Sequence, residues 1–170
     1  MPNWVTNVIT VNGDSDDIIG FINRHINSEG YFDFNTIIPE PKYKVETSSK
    51  YILSEEEMRK SLLEEGDDWF DWYNWRLKYW GTKWNAQHLG KLCFDIDKIA
   101  YEDIRSIKIV FDTAWTAPIP VAKKLTSNYK KKLRITWEWY SFESDIVGYV
   151  KRDDYGDGDI PGFYFREVKF

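Results

Sequence analysis

The order of the elements predicted along the chain indicates an α+β fold, in which helices cover one face of an antiparallel sheet. Short runs with period-two alternation of apolar residues predict the strands, and segments with apolar residues three or four apart predict the helices between them. The chain has 170 residues, of which 42% are hydrophobic. This length suits one sizeable core, so we predict a single domain spanning residues 1–170.

The chain opens with a predicted strand followed by a predicted helix. Residues 4–11 are rich in β-forming side chains and end at Asn12-Gly13, a pair typical of turns. The helix then starts near residues 14–16, where Asp or Ser can cap it, and Gly30 ends it.

A helical, aromatic-rich insertion is predicted over about residues 31–90. Ser54 and Glu57 have the spacing of a capping box, which predicts a short helix to about residue 65. A second helix continues to about Trp80 with aromatic side chains over an unusually wide arc, and Gly81 is predicted to end it in a left-handed conformation.

Alternation and turn residues predict the remaining elements, which are strands over 92–99, 106–111 and 133–140, a helix over 118–129, and strands near 146–151 and 163–168. The β-α-β-β-α-β part of this order is the ferredoxin-like split β-α-β arrangement. We therefore predict a ferredoxin-like core with helices on one face of its antiparallel sheet, the helical insertion, and a C-terminal β-hairpin.

Composition narrows the classes of function. The net charge of -5 opposes bulk attraction to nucleic acid or to anionic membranes. Cys93 is the single cysteine, which excludes an intramolecular disulfide, and His25 and His88 are too few for a defensible zinc site. We expect no metal, no cofactor, no membrane partner and a cytoplasmic location, and we leave the oligomeric state open.

Five strings carry a family resemblance, and they lie in order along most of the chain: Met1–Trp4, Phe34–Pro41, Trp72–Trp75, Trp80–Ala86 and Phe111–Trp115. Together they resemble the YubB-like (Api-like) family of bacteriophage and conjugative-plasmid proteins. The resemblance implies a ferredoxin-like C-terminal part and a phage or mobile-element accessory protein. It implies no biochemical activity.

The insertion favours protein binding as the function. Residues 55–71 hold eight acidic and two basic residues, and aromatic side chains are enriched at the energetic centres of interfaces. We expect a non-enzymatic protein that binds a host or phage protein, with inhibition of a bacterial defence system as one form of this function. The candidate binding residues are Trp69, Trp72, Trp75, Tyr79, Lys83, Trp84, Asn85, Asp112 and Trp115.

Purely structural roles remain open for these residues. The segment around Lys83 also has the residue types of a helix C-cap packed on core tryptophans, and Asp112 also suits an Asx-turn. An enzyme built on Lys83, Asn85 and Asp112 is disfavoured, because the sequence shows no nucleophile with a base and no glycine-rich phosphate loop.

A basic block supports an alternative function, single-stranded nucleic-acid binding. Residues 123–134 contain six basic side chains and no acidic one, and ferredoxin-like sheets can present aromatic residues for base stacking. The candidate nucleic-acid contacts are Lys130, Lys131, Lys132 and Arg134. His25 is expected near the end of the first helix as a cation that complements the helix dipole.

Overall fold

The computed structural model describes residues 3–41, 72–129, 132–141 and 146–151. The elements within these ranges are β1 (Trp4–Gly13), α1 (Ser15–His25), a 3-10 turn (Phe34–Thr36), α2 (Trp72–Tyr79), α3 (Ile96–Tyr101), β2 (Ser106–Ala114), α4 (Ile119–Asn128), β3 (Leu133–Ser141) and β4 (Ile146–Lys151).

The four strands form one antiparallel sheet in the order β2-β1-β3-β4. Ile9 at the centre of β1 is opposite Ile109 on one side and Trp137 on the other. Since β2 and β3 are both antiparallel to β1, they are parallel to each other, and α4 connects them across it. This β2-α4-β3 unit is a split β-α-β motif. The α+β architecture predicted from the sequence is confirmed.

One predicted strand is wrong. The segment predicted as a strand over 92–99 instead enters helix α3, which begins at Ile96. The Asp95 carboxylate accepts a hydrogen bond from the backbone N–H of Lys98 at 2.9 Å and so caps the helix. Ile99, one helical turn after Ile96, is buried. The helix therefore buries Ile99, although the apolar residues of this segment also fit the alternation of a strand.

The other predicted elements within the described residues are confirmed, but α1 ends at His25 and not at Gly30 as predicted, and other ends shift by a few residues. Strands β1, β2, β3 and β4 correspond to the strands predicted over 4–11, 106–111, 133–140 and 146–151. Helices α1 and α4 correspond to the helices predicted after residue 14 and over 118–129. The short insertion helix that begins at Ser54 and the strand near 163–168 lie outside the described residues, so the predicted C-terminal hairpin is described only as far as β4.

The core lies on one face of the sheet. Alternate residues of β1, β2 and β3 are buried there, and helices α1 and α4 contribute buried side chains from above. Aromatic rings fill its centre, where Phe34, Phe111 and Trp137 lie within 6.5 Å of one another, measured between ring centroids. On the opposite face, which we call the open face, Lys108, Val110 and Glu138 are exposed.

Strand β2 lies at an edge of the described sheet, and a loop residue covers part of that edge. The backbone N–H of Gln87 donates to the Asp112 carbonyl at 2.9 Å, and the Asp112 N–H donates back to the Gln87 carbonyl at 2.7 Å.

No helix among the described residues has the length and apolar character that spanning a membrane requires.

Candidate protein-binding site

Five side chains from three parts of the chain converge beside the junction of β1, β2 and helix α2, and we call them the Lys83 cluster: Trp4, Tyr73, Lys83, Trp84 and Trp115. Trp4 begins β1 opposite Ala114, the last residue of β2. The Thr82 hydroxyl donates to the Ala114 carbonyl at 2.9 Å, which fixes the loop that carries Lys83 against the end of β2.

The Lys83 ammonium lies over three aromatic rings. Its nitrogen is 4.9 Å from the ring centroid of Trp84, 5.1 Å from that of Trp115 and 5.6 Å from that of Tyr73. These distances are within the range of cation–π attraction. The Trp4 ring lies 6.0 Å from the Trp84 ring. The cluster remains accessible to solvent, because Trp4 is 39% exposed and Trp115 is 44% exposed.

The backbone presents Trp115 in an unusual conformation. Its φ of 68° lies in the left-handed region, which bulky residues rarely adopt. The Trp115 N–H donates to the Asn3 carbonyl at 2.7 Å, and the Thr113 hydroxyl donates to the Thr116 carbonyl at 2.8 Å. The Thr116 hydroxyl in turn donates to the Gly81 carbonyl. These bonds hold the Trp115 side chain at the surface.

Gly81 ends α2 in the left-handed conformation predicted for it, with a φ of 80°. A Cβ at this position would lie 2.8 Å from Cδ of Pro120, the second residue of α4. Glycine is therefore required both by the backbone conformation and by the close approach of the loop to α4.

A buried polar network lies beneath the Trp115 turn. The Trp137 indole N–H donates to the side-chain oxygen of Asn7 at 3.0 Å. The Asn7 amide nitrogen then donates to the Thr113 hydroxyl at 2.9 Å and to the Val5 carbonyl at 2.9 Å. Asn7 and Thr113 are fully buried and their side chains are satisfied, so the network fixes the base of the site.

Part of the chain matches a known protein family. Residues 79–161 match the family model described as a ferredoxin-like domain in Api92-like protein. Residues 79–161 are therefore similar to the ferredoxin-like domain of Api92-like proteins. This confirms the family resemblance predicted from the sequence. Neither the curated proteins nor the solved structures gave a significant match.

The Api92-like match begins at Tyr79 and so includes three members of the Lys83 cluster, Lys83, Trp84 and Trp115. The sequence identified these three because Lys83 and Trp84 follow a predicted helix end and Trp115 follows a predicted strand end. It missed Trp4 and Tyr73 as site residues, although both lie in strings that carried the family resemblance. Only the pairing of β1 with β2 and the placement of α2 bring them to the cluster.

Two predicted binding residues, Asn85 and Asp112, have structural partners. The Asn85 side chain donates to the Asp33 carboxylate at 2.7 Å and accepts from the Phe34 N–H at 2.9 Å, so it ties its loop to the 3-10 turn. The Asp112 carboxylate accepts from the Thr6 hydroxyl at 2.7 Å across the open face. Neither side chain belongs to the Lys83 cluster.

The predicted aromatic residues of α2 separate into core and boundary positions. Trp75 is 6% exposed and lies edge-on to Trp80, 5.7 Å away, so the structure places it in the core and not on a binding surface. Tyr79 packs on Trp75, with ring centroids 5.0 Å apart. Trp72 is half-buried and lies edge-on to Tyr73. Trp69 lies outside the described residues.

The basic block is described only in part. Lys132 is exposed and its ammonium lies 3.5 Å from the Asp17 carboxylate. Arg134 is exposed, and the alternation of β3 places it on the open face. Lys130 and Lys131 lie outside the described residues. Trp137 and Trp139 of β3 are buried, so they are not available on the open face for base stacking.

His25 is a neutral core residue, which corrects the prediction of a cation that complements the dipole of the first helix. The Thr36 hydroxyl donates to the Asp33 carbonyl at 2.7 Å, so His25 Nδ1 must donate to Thr36, 2.6 Å away. His25 Nε2 then accepts from the Tyr129 hydroxyl at 2.8 Å. Burial, with a smaller contribution from Arg24, lowers the pKa of His25 to about 4.

His88 is held by one ring nitrogen. The Phe32 N–H donates to its Nε2 at 3.2 Å, and buried Nδ1 forms no hydrogen bond with any described residue. Burial lowers the pKa of His88, opposed by the nearby Val110 carbonyl and by the Asp112 carboxylate. Among the described residues there is no group of three or more His, Cys, Asp or Glu side chains that could hold a metal ion.

Proposed function

We propose that this chain is a non-enzymatic accessory protein that binds a partner protein through the Lys83 cluster. The observation that carries the proposal is the exposed group of aromatic rings around Lys83, with Trp4 39% exposed and Trp115 44% exposed. Tryptophan and tyrosine side chains grouped in one exposed patch are typical of the energetic centre of a protein interface.

Rigidity of the cluster supports this function. The Trp115 turn is held by backbone and threonine hydrogen bonds, and the Asn7 network lies beneath it. Because these rings are ordered before a partner arrives, binding would require little loss of side-chain freedom. A catalytic role has less support, since Asn85 and Asp112 are engaged in structural hydrogen bonds away from Lys83.

The family resemblance suggests the setting of this function. In this proposal the protein is encoded by a bacteriophage or another mobile element, works in the cytoplasm of the bacterial host, and binds a host protein. Inhibition of a defence system is the form of binding that such an accessory protein would most usefully provide. This setting rests on the family resemblance of the sequence alone.

A capture experiment with matched variants tests the proposal. The full tagged chain is compared with a variant carrying Trp84→Ala and Trp115→Gly, and with the control Tyr101→Ala, since Tyr101 is 92% exposed but lies outside the cluster. We expect at least about tenfold weaker partner capture for the double variant and no change for the control. Equal capture by all three folded proteins would contradict the proposal.

Single-stranded nucleic-acid binding is the second candidate function. The observation that favours it is the placement of exposed Arg134 and Lys108 on the open face, while Lys130 and Lys131 remain predicted contacts outside the described residues. Binding of this kind weakens steeply as salt increases. Fluorescence anisotropy with a labelled oligo-dT should show an affinity that falls steeply with salt, and Arg134→Ala should reduce this salt dependence. Salt-independent or absent binding would exclude nucleic-acid binding as the function.

A further inference from the structure

We propose that the Lys83 cluster recognises an acidic segment of the partner protein, in which one carboxylate meets the Lys83 ammonium and neighbouring apolar side chains contact the indoles. This inference rests on the proposed function and names the chemistry of the partner. Three features of the cluster lead to it: the occupied ring faces, the unpaired ammonium, and the single charge.

The first feature excludes a cationic ligand. The faces of Tyr73, Trp84 and Trp115 are already directed toward the Lys83 nitrogen, at 5.6, 4.9 and 5.1 Å. A second cation would have to displace this ammonium or lie beside it against like-charge repulsion. The rings therefore serve as a support for a resident cation and not as a receptor for an incoming one.

The second feature is that Lys83 forms no ion pair with any described residue. Some other basic side chains are paired: Arg76 with Glu40 at 2.7 Å, and Lys132 with Asp17 at 3.5 Å. The N–H groups of Lys83 that do not face the rings are thus available to an anion. Since the ammonium is already positioned, less side-chain freedom is lost when a carboxylate binds it.

The third feature favours an acidic peptide over a nucleic acid. A polyanion binds through many lysines and arginines at once, whereas the cluster presents one unpaired ammonium on a chain with a net charge of -5. One carboxylate matches one ammonium. The exposed surfaces of Trp4 and Trp115 then supply apolar contact on either side of that charge pair.

A peptide selection tests this chemistry. Random heptapeptides displayed on phage are selected on the immobilised full chain, and selected peptides are measured by fluorescence anisotropy. We expect selected sequences to be enriched in Asp or Glu beside Leu or aromatic residues. Lys83→Met, which keeps an apolar stem on the rings but removes the charge, should weaken their binding at least about tenfold. Lys83→Glu should redirect the selection toward basic peptides.

Controls separate failure of this inference from failure of the proposed function. Peptides that lose binding in the Trp84→Ala, Trp115→Gly variant but bind Lys83→Met as well as wild type would overturn the acidic-partner inference and leave the proposed function intact. Selected peptides indifferent to both variants would overturn both proposals. Oligo-dT binding at the cluster that Lys83→Met abolishes would replace the acidic peptide with nucleic acid.

Discussion

Trp115 combines a strained backbone with an exposed side chain. Its φ of 68° is one that glycine adopts without cost, whereas a bulky residue there costs about 1 kcal/mol or more. Such strain persists where the surrounding hydrogen bonds enforce it, and it is concentrated at functional positions. The hydrogen bonds from Trp115 to Asn3 and from Thr113 to Thr116 do this here.

We predict that Trp115→Gly does not lower the free energy of unfolding, and that it raises this free energy by up to about 1 kcal/mol because the strain is relieved. Urea denaturation followed by circular dichroism measures the change. Trp4→Gly is the matched control, since Trp4 is similarly exposed but lies in extended β1, and it should be destabilising. A loss of more than about 1 kcal/mol in Trp115→Gly would show that the indole stabilises the fold.

The residues of the cluster show what sequence can and cannot reveal about a site. Lys83 and Trp84 are adjacent in the chain, so the basic and aromatic pairing was visible directly. Trp4 joins them only through the β1-β2 register, which no local pattern specifies. Asn85 has the residue type of a binding group, yet its partners, Asp33 and Phe34, are about 50 positions away, with separations of 52 and 51.

At the scale of elements, the strand predicted over 92–99 shows where periodicity is ambiguous. Leu92, Phe94 and Ile96 alternate as in a half-buried strand, but Ile96 and Ile99 also have the spacing of one helical turn. The Asp95 cap favours the helix. Longer runs were predicted correctly: β1 from its β-forming side chains closed by Asn12-Gly13, and β3 from alternation over eight residues.

Arg76 ties helix α2 to the segment that precedes it in the described structure through a bidentate ion pair, in addition to the core packing of Trp75. Two Arg76 nitrogens donate to the Glu40 carboxylate at 2.8 and 2.7 Å, with both side chains mostly buried. We predict that Glu40→Gln lowers the free energy of unfolding by about 1–3 kcal/mol, because a charged bidentate pair is lost. Urea denaturation measures this, and hydrogen exchange should show faster opening of α2.

An exposed pair provides the control for this change. Lys98 and Glu102 are 4.0 Å apart and about half exposed, with side-chain exposures of 58% and 51%. Removing the charge by Glu102→Gln should change the free energy of unfolding by less than about 0.5 kcal/mol. Similar effects of Glu102→Gln and Glu40→Gln would mean that the Glu40 pair does not anchor α2.

At the scale of the whole molecule, His25 makes stability depend on pH. Above its ordinary pKa of 6.5 it is neutral in both the folded and the unfolded chain and has no effect. Below that pH the unfolded chain gains a proton that the folded chain takes up only near its own pKa of about 4. Stability is therefore expected to fall as pH decreases from 6.5, by as much as about 3 kcal/mol at pH 4.

Chemical denaturation at a series of pH values between 7 and 5 measures this dependence above the range where most carboxylates titrate. The variant His25→Gln should be less stable at pH 7, because the Thr36 and Tyr129 hydrogen bonds are disturbed. Its stability should nevertheless change less across this pH range than that of wild type. Equal slopes for the two proteins would contradict the assignment of the pH dependence to His25.

The fold class was predictable from the sequence, but the arrangement of its strands was not. Alternation identifies which residues of β1 or β3 share a face, and Gly81 identifies a helix end. The order β2-β1-β3-β4 depends on pairings between residues far apart in the chain, such as Ile9 with Ile109 and with Trp137. Such pairings come from packing in three dimensions.

The Gln87 bridge has a consequence for self-association. A bare strand edge is a template on which a second chain can add a strand, and such additions begin many aggregates. Gln87 occupies the backbone groups of Asp112, so on the outer side of β2 the backbone groups of Lys108 and Ser106 and the N–H of Val110 form no backbone hydrogen bond with any described residue. The Lys108 ammonium lies in the middle of that short stretch, where two copies would bring like charges together. The solubility of concentrated solutions should therefore depend on a single loop residue and one lysine at this edge.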